Sequence, residues 1–389
     1  MRKFVNFNKG LTVLALAWVL LFHCAVSSIF TPKVYASSQV HGISAKAYVL
    51  VDETGDTLFE READRRLPMA STTKVMTALI VSEHLEADES VTVSREAVGI
   101  EGSSAYLKEN EVLSVGDLLH ALLLQSANDA AVALSLAVCE SVEDFCLLMN
   151  EKAGNMGLEN TSFQNPHGLD KQGHYTTARD LALIMQNALK DPLLADIMAT
   201  KKYTCVSSAG VERVFVNHNK LLSACEYCIG GKTGYTKADG RCLVSAAEKN
   251  GVRLIAVTLC APNDWEDHKK LYAAGFDLYT EQRLCANAEI TDTVDVVLNK
   301  NSSCQTGIAN PISVYAFVRA DKGIEVSLEK CDLSAPVTKG ETAGYAVFTQ
   351  GKRVVARVEL VTLESVEIVK KPDKEGFFQK IINFVKNIF

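Results

Sequence analysis

Three short signatures follow one another along the chain: Ser71-Thr72-Thr73-Lys74, then Ser126-Ala127-Asn128, then Lys232-Thr233-Gly234. Read as S-x-x-K, S-x-N and K-T-G, they supply a nucleophile with its base, a second hydroxyl with an amide, and a cation beside a hydroxyl. Each triplet alone is weak, because a capped helix or a turn explains any one of them. S-x-x-K even occurs again, at Ser327-Leu328-Glu329-Lys330, with no partner motifs after it. It is the ordered set that constrains the fold.

The flanking residues predict where each signature sits. A helix follows Pro68, with Val75, Met76, Leu79 and Ile80 at helical spacing, so Ser71 belongs near a helix N-terminus. From Ser114 to Val138 the chain is rich in leucine and alanine. It opens with the cap signal Ser114-x-x-Asp117 and is interrupted by Gln125-Ser126-Ala127-Asn128-Asp129, which predicts a turn between two buried helices. Unpaired polar groups buried there would cost about 1 to 3 kcal/mol each. A catalytic cleft gives a reason for them, and a plain helix-helix corner is the alternative. Beyond Lys232-Thr233-Gly234, the β-rich runs Cys242 to Glu248 and Arg253 to Cys260 meet at Asn250-Gly251, the dipeptide of a type I′ hairpin. That puts K-T-G beside or on an antiparallel sheet. Ala45 to Val51 and Leu58 to Glu60 flank a polar turn and form an opening hairpin.

A serine hydroxyl is a poor nucleophile until a base takes its proton. Lys74 lies three residues after Ser71, on the same helical face and within reach. To serve near neutrality its pKa must fall from about 10.4 to about 7 or 8, roughly 4 kcal/mol. Desolvation and a second cation would do this, and Lys232 is that cation. Ser126 then relays a proton between Lys74 and the leaving amine, and Asn128 offers its amide to the substrate backbone. Lys232 and Thr233 suit a terminal carboxylate, and Gly234 lets substrate approach the strand closely.

The chain ends carry different information. Arg2, Lys3 and Lys9 precede an apolar run from Leu11 to Phe22 and a small residue at Ala36, so residues 1–36 read as an export signal, with a retained anchor as the alternative. Removing them takes the formal charge from -7 to about -11, since they hold four basic and no acidic residues. A nucleic-acid partner is excluded on that charge. Around Cys285 the character changes, and 286–368 reads as a small all-β domain. Residues 369–389 place Phe377, Phe378, Ile381, Ile382, Phe384, Val385, Ile388 and Phe389 at helical spacing beside lysines. Such a helix suits an anionic membrane surface, and packing back on the protein is the alternative. Of the eleven cysteines, Cys225-Glu226-Tyr227-Cys228 is the one close pair; it lacks the further ligands of a zinc site and reads as a local disulfide or two free thiols.

In order and beyond the triplets, Pro68 to Lys74, Leu123 to Ala131, Asn165-Pro166-His167-Gly168-Leu169 and Gly231 to Thr236 resemble segments of the low-molecular-mass penicillin-binding proteins, the serine-type D-alanyl-D-alanine carboxypeptidases. The resemblance covers nearly the whole chain. It implies a β-lactamase/transpeptidase-like α/β domain over 37–285, with an antiparallel sheet flanked by helices and a helical subdomain. A small all-β domain and an amphipathic anchor follow. It also implies removal of the terminal D-alanine from peptidoglycan stem pentapeptides through an acyl-enzyme, sensitivity to β-lactams, and residence outside the cytoplasmic membrane. The catalytic residues it implies are Ser71, Lys74 and Ser126, with Asn128, Lys232, Thr233, Gly234 and Tyr235 binding substrate. The N–H groups of Ser71 and Tyr235 form the oxyanion hole. No metal or cofactor is implied, and His167 is structural. A class A β-lactamase would need a deacylating glutamate in an E-x-x-L-N setting, and none stands between Ser126 and Lys232. A transpeptidase or endopeptidase of the same fold and a wall-binding protein without turnover remain the other readings.

Overall fold

The computed structural model describes residues 40–237, 240–285, 290–297, 303–308 and 314–368. The expected export segment and the amphipathic helix of 369–389 lie outside them. Along the first part run β1 (Ala47–Asp52), β2 (Thr57–Arg61), β3 (Ser90–Thr92), β4 (Val112–Ser114), β5 (Lys202–Val206), β6 (Glu212–Val216), β7 (Cys228–Thr236), β8 (Gly240–Lys249) and β9 (Val252–Leu259). The helices are α1 (Lys74–His84), α2 (Val115–Leu123), α3 (Asn128–Val138), α4 (Val142–Asn155), α5 (Ala178–Ala188), α6 (Pro192–Ala199), α7 (Leu221–Ala224) and α8 (Asp264–Phe276).

One antiparallel sheet, in the order β2-β1-β9-β8-β7, organises this region and leaves β7 at an edge. The period of two along β1 shows how it is covered. Ala47, Val49 and Val51 enter the core beneath the helical layer, while Tyr48 and Leu50 enter a second core with Leu271, Tyr272 and Phe276 of α8. Every residue of β1 is therefore buried. The expected hairpin at Asn250-Gly251 joins β8 to β9, and both residues have positive φ, as a type I′ turn requires.

Helix α1 is more buried than its sequence stripe suggests: Lys74 through Val81 are all buried. It threads the centre of the main core and meets α2, α3 and α5. Ser114 and Asp117 form the expected reciprocal capping box at the start of α2, which ends before the Ser126 turn. Cys242 is buried in the main core and Cys139 and Cys260 pack against it, as small hydrophobes do. Of the two outcomes expected for the close pair, the structure has Cys225 and Cys228 as two thiols without a disulfide between them.

The β-rich part contains β10 (Tyr279–Cys285), β11 (Thr291–Val297), β12 (Ser303–Ile308), β13 (Val314–Arg319), β14 (Glu325–Lys330), β15 (Leu333–Ser334), β16 (Thr342–Gln350) and β17 (Arg353–Thr362). Six of these strands form one sheet, ordered β14-β16-β17-β12-β11-β15. The sequence reading placed 279–285 with the first domain, yet β10 pairs residue by residue with β13. A composition change near Cys285 cannot reveal a pairing made with residues 314–319. The second S-x-x-K lies in β14, where residues three apart face opposite sides of the strand. Ser327 and Lys330 thus cannot form a nucleophile-base pair, and Lys330 is instead ion-paired with Asp292.

Candidate active site

Ser71 stands on a short 3-10 turn, Ala70–Thr73, that leads into α1. Two other segments clamp this turn. Asn165 Oδ1 accepts from the N–H groups of His167 (3.2 Å) and Gly168 (2.6 Å), folding 165–168 tightly, and Thr77 Oγ1 donates to the Pro166 carbonyl. Gly168 has φ +90°, and a Cβ there would collide with the Ala70 carbonyl. On the other side a Cβ on Gly234 would stand 3.0 Å from both Met69 O and Ser71 N. The expected role of Gly234 was room for substrate; its first consequence is that β7 can lie flush against the turn carrying Ser71. Ala70 itself is held at φ +47°, a left-handed conformation that costs a non-glycine residue about 1 to 3 kcal/mol and persists because both neighbours fix it.

Lys74 is completely buried, and its Nζ lies 3.1 Å from Ser71 Oγ. It donates to Asn128 Oδ1 at 2.7 Å and to the His167 carbonyl at 2.5 Å. A neutral amine has two hydrogens and one lone pair. With two acceptors taking the hydrogens, the lone pair is left for the Ser71 hydroxyl. Burial drives the lysine's pKa well below its ordinary value, Lys232 lowers it further by repulsion, and Asp129 acts in the opposite sense.

Ser126, at φ +62° in the turn between α2 and α3, meets the other lysine. Lys232 Nζ donates to Ser126 Oγ at 3.0 Å and to the Thr233 carbonyl at 2.8 Å, and burial takes its pKa down to about 7. The site thus contains two Ser-Lys pairs. The expected Ser126 relay ran to Lys74, whereas the hydrogen bond formed at Ser126 Oγ runs to Lys232. Asn128 differs too: its amide nitrogen donates to Glu101 O at 2.5 Å while its oxygen holds Lys74. Here it orients the base, and the amide expected at the substrate backbone is occupied. Buried Asp129 ties the facing loop down, accepting from Ser104 Oγ, Ala105 N and Leu107 N at 2.7 to 3.0 Å.

A cleft of about 500 Å³ opens over Ser71, Ser126, Thr233, Gly234 and Tyr235. Sequence reasoning missed Arg241 and Trp265 in its wall. Arg241 Nε donates to buried Asp264 at 2.9 Å, and its guanidinium lies 5.6 Å from the Trp265 ring centroid. The signal was the position of Arg241 on β8, paired with Tyr235; it emerges only once the register of the two strands is known. His167 contributes its carbonyl to the site, and its ring nitrogen accepts from Leu169 N. Among the described residues no group of three His, Cys, Asp or Glu side chains could hold a metal ion.

Residues 33–263 match the profile of the Peptidase S11 family, D-alanyl-D-alanine carboxypeptidase, and 279–368 match the C-terminal domain of penicillin-binding protein 5. The chain is 32% identical to D-alanyl-D-alanine carboxypeptidase DacC of Escherichia coli over 379 residues, 92% of each chain. With DacF of Bacillus subtilis the identity is 31%, over 88% of each. Among solved structures, the carboxypeptidase DacD of Francisella tularensis aligns with a TM-score of 0.60 at 25% identity, over 88% of this chain and 98% of that one. A mutant of the Streptomyces K15 DD-transpeptidase aligns at 0.58 and 33%, over 61% and 99%. The α/β domain with its two Ser-Lys pairs and the β-rich domain that follows belong to a serine-type D-alanyl-D-alanine carboxypeptidase of the Peptidase S11 family.

Proposed function

We propose that the protein removes the terminal D-alanine from peptidoglycan stem pentapeptides and so limits cross-linking. The observation that carries this reading is Lys74 Nζ, buried, stripped of its ordinary basicity and 3.1 Å from Ser71 Oγ. In acylation the Ser71 oxygen attacks the carbonyl of the penultimate D-alanine and its proton passes to Lys74. The carbonyl oxygen becomes an oxyanion within reach of the N–H groups of Ser71 and Tyr235, each worth about 2.7 to 4 kcal/mol in comparable sites. Collapse breaks the peptide bond, and the Lys232-Ser126 pair supplies the proton to the departing amine. A lysine near pKa 7 is suited to give up a proton at neutral pH. The proton held on Lys74 then passes to the Lys232-Ser126 pair, which resets both; water attacks the ester, Lys74 takes its proton and returns it to the departing Ser71 oxygen, and the shortened peptide is freed.

The substrate adds as an extended strand along the open edge of β7, with its terminal carboxylate toward Thr233 and Arg241. Buried Lys232 is committed to Ser126 and Thr233 O, so Arg241 carries the permanent charge for that carboxylate. β-Lactams present a carboxylate and a strained amide in the same geometry and acylate Ser71. The N-terminal signal and the basic amphipathic end support an exported protein held on the outer face of the cytoplasmic membrane. Among the described residues no helix is long and apolar enough to cross a membrane.

The test is D-alanine release from diacetyl-Lys-D-Ala-D-Ala by the protein without residues 1–36. Release that disappears with Ser71→Ala and after penicillin treatment supports the reading. Labelling by penicillin without release would overturn it. The likeness to a protein named a DD-transpeptidase motivates one further arm: with an added amino acceptor, a transpeptidase would form the transfer product in place of the free acid.

A further inference from the structure

Ala70, held in its left-handed conformation, shares a peptide unit with Ser71, and that unit carries the N–H assigned above to the oxyanion hole. A trans peptide is planar, with its C=O and N–H pointing opposite ways. Whatever fixes the Ala70 carbonyl therefore also aims the Ser71 N–H. That carbonyl accepts from Thr73 Oγ1 at 2.8 Å, a local side-chain bond of the kind threonines form with a carbonyl one turn back. Behind the hydroxyl stands a second group from a distant segment: His174 Nε2 lies 2.8 Å from Thr73 Oγ1.

The direction of these bonds follows from counting protons. His174 Nδ1 accepts from the Gln164 N–H at 3.0 Å, so the one ring proton of the neutral imidazole sits on Nε2. Nε2 then donates to Thr73 Oγ1, and the single hydroxyl proton is left to point at the Ala70 carbonyl. Burial takes the His174 pKa down to about 4 against the pull of Asp170, and Lys171 and Lys74 add to the fall, so the ring is neutral at neutral pH. Both Thr73 and His174 are buried. The segment carrying His174 is itself clamped, with Tyr175 paired to Ser162 and Thr176 to Leu67, shortly before the turn that holds Ser71. The reaction steps described above use neither Thr73 nor His174.

We infer that His174 is a positioning residue for acylation: acting through Thr73, it locks the Ala70–Ser71 peptide plane and so aims the Ser71 N–H at the developing oxyanion. It touches no reacting atom and works by removing the rotational freedom of one hydroxyl. A donor aimed before the reaction begins needs no reorganisation when the charge forms. The inference rests on the oxyanion hole of the carboxypeptidase reading.

The experiment measures the second-order rate of acylation by a fluorescent penicillin from pH 6 to 10. Thr73→Val keeps the shape and removes the bond to Ala70; His174→Asn keeps an acceptor for Gln164 and removes the donor to Thr73; His174→Gln keeps a donor for Thr73. Thr73→Val should slow acylation about tenfold and His174→Asn about fivefold, a fraction of what outright loss of an oxyanion donor costs, and His174→Gln should come back to within about twofold. The losses should be uniform in pH with the acid limb unmoved, because no charge changes beside Lys74. Full activity in Thr73→Val, His174→Gln as slow as His174→Asn, or a displaced acid limb would each overturn the inference. If the histidine variants fail to fold, Thr73→Val decides alone. Acylation without D-alanine release in the unaltered protein would sink the carboxypeptidase reading while the variants still decide this one, and no acylation at all would sink both.

Discussion

Asn128→Asp offers a sharp test of how Lys74 is kept neutral. The substitution preserves the shape at Asn128 and replaces an amide oxygen 2.7 Å from Lys74 Nζ with a carboxylate oxygen. At an effective dielectric of about 20, that charge attracts an ammonium by about 6 kcal/mol, or roughly 4 pKa units. Asp129 is adjacent and buried, and repulsion between the two carboxylates withdraws about half of this, leaving a rise of roughly 2 units. The sign is definite: a higher pKa for Lys74 means less free base at neutral pH. The second-order rate of acylation by a fluorescent penicillin, measured from pH 6 to 10, should fall about 100-fold at pH 7. Its acid limb should move up by about 2 units, and the rate should recover at alkaline pH. A uniform loss with an unmoved limb would refute the claim that the Asn128 contact sets the basicity of Lys74.

Other consequences follow from the same geometry. Gly168→Ala drives a methyl into the Ala70 carbonyl at a positive φ, and should cost about 1 to 3 kcal/mol of stability and slow acylation together, read by thermal melting and penicillin labelling. Arg241→Leu should raise KM for peptides ending in a free carboxylate while leaving esters or amides of the same peptide little affected, which a paired steady-state comparison measures. Removing Arg213, whose guanidinium forms a buried bidentate pair with Glu111 and also holds the carbonyls of Ala105 and Tyr106, should cost about 3 to 5 kcal/mol in denaturant unfolding. Burial lowers His167 and His268 to about 3 and His174 to about 4, so the unfolded chain binds protons first as pH falls. Stability should therefore decline below about pH 6.5, by up to about 1.4 kcal/mol per histidine per pH unit until the folded values are reached, and equilibrium unfolding at pH 7 and 5 checks this.

That Ser71 stands beside Lys74 and that Ser126 lies in a turn between two helices was legible in the sequence because each signature is local. Lys74 follows Ser71 by three positions, one turn along the chain, and a polar break within a leucine-rich run needs only its neighbours to be noticed. What escaped is set by contacts between distant segments. Nothing near Gly168 says that its missing side chain makes room for Ala70, and nothing near Arg241 says that it shares a cleft wall with Trp265. The hydrogen-bond partner of Ser126 escaped for the same reason: spacing names two lysines, and the approach of β7 to the inter-helix turn brings Lys232 to Ser126 Oγ. The strand at 279–285 escaped because its pairing with 314–319 lies beyond any local pattern.

Ser71, served by Lys74, is the residue expected to be acylated. Peptide mapping by mass spectrometry after reaction with benzylpenicillin tests it most directly. One penicilloyl adduct is expected, on the peptide containing Ser71, absent from Ser71→Ala and formed far more slowly in Lys74→Met. An adduct on Ser126 or Ser327, or one that persists in Ser71→Ala, would contradict it.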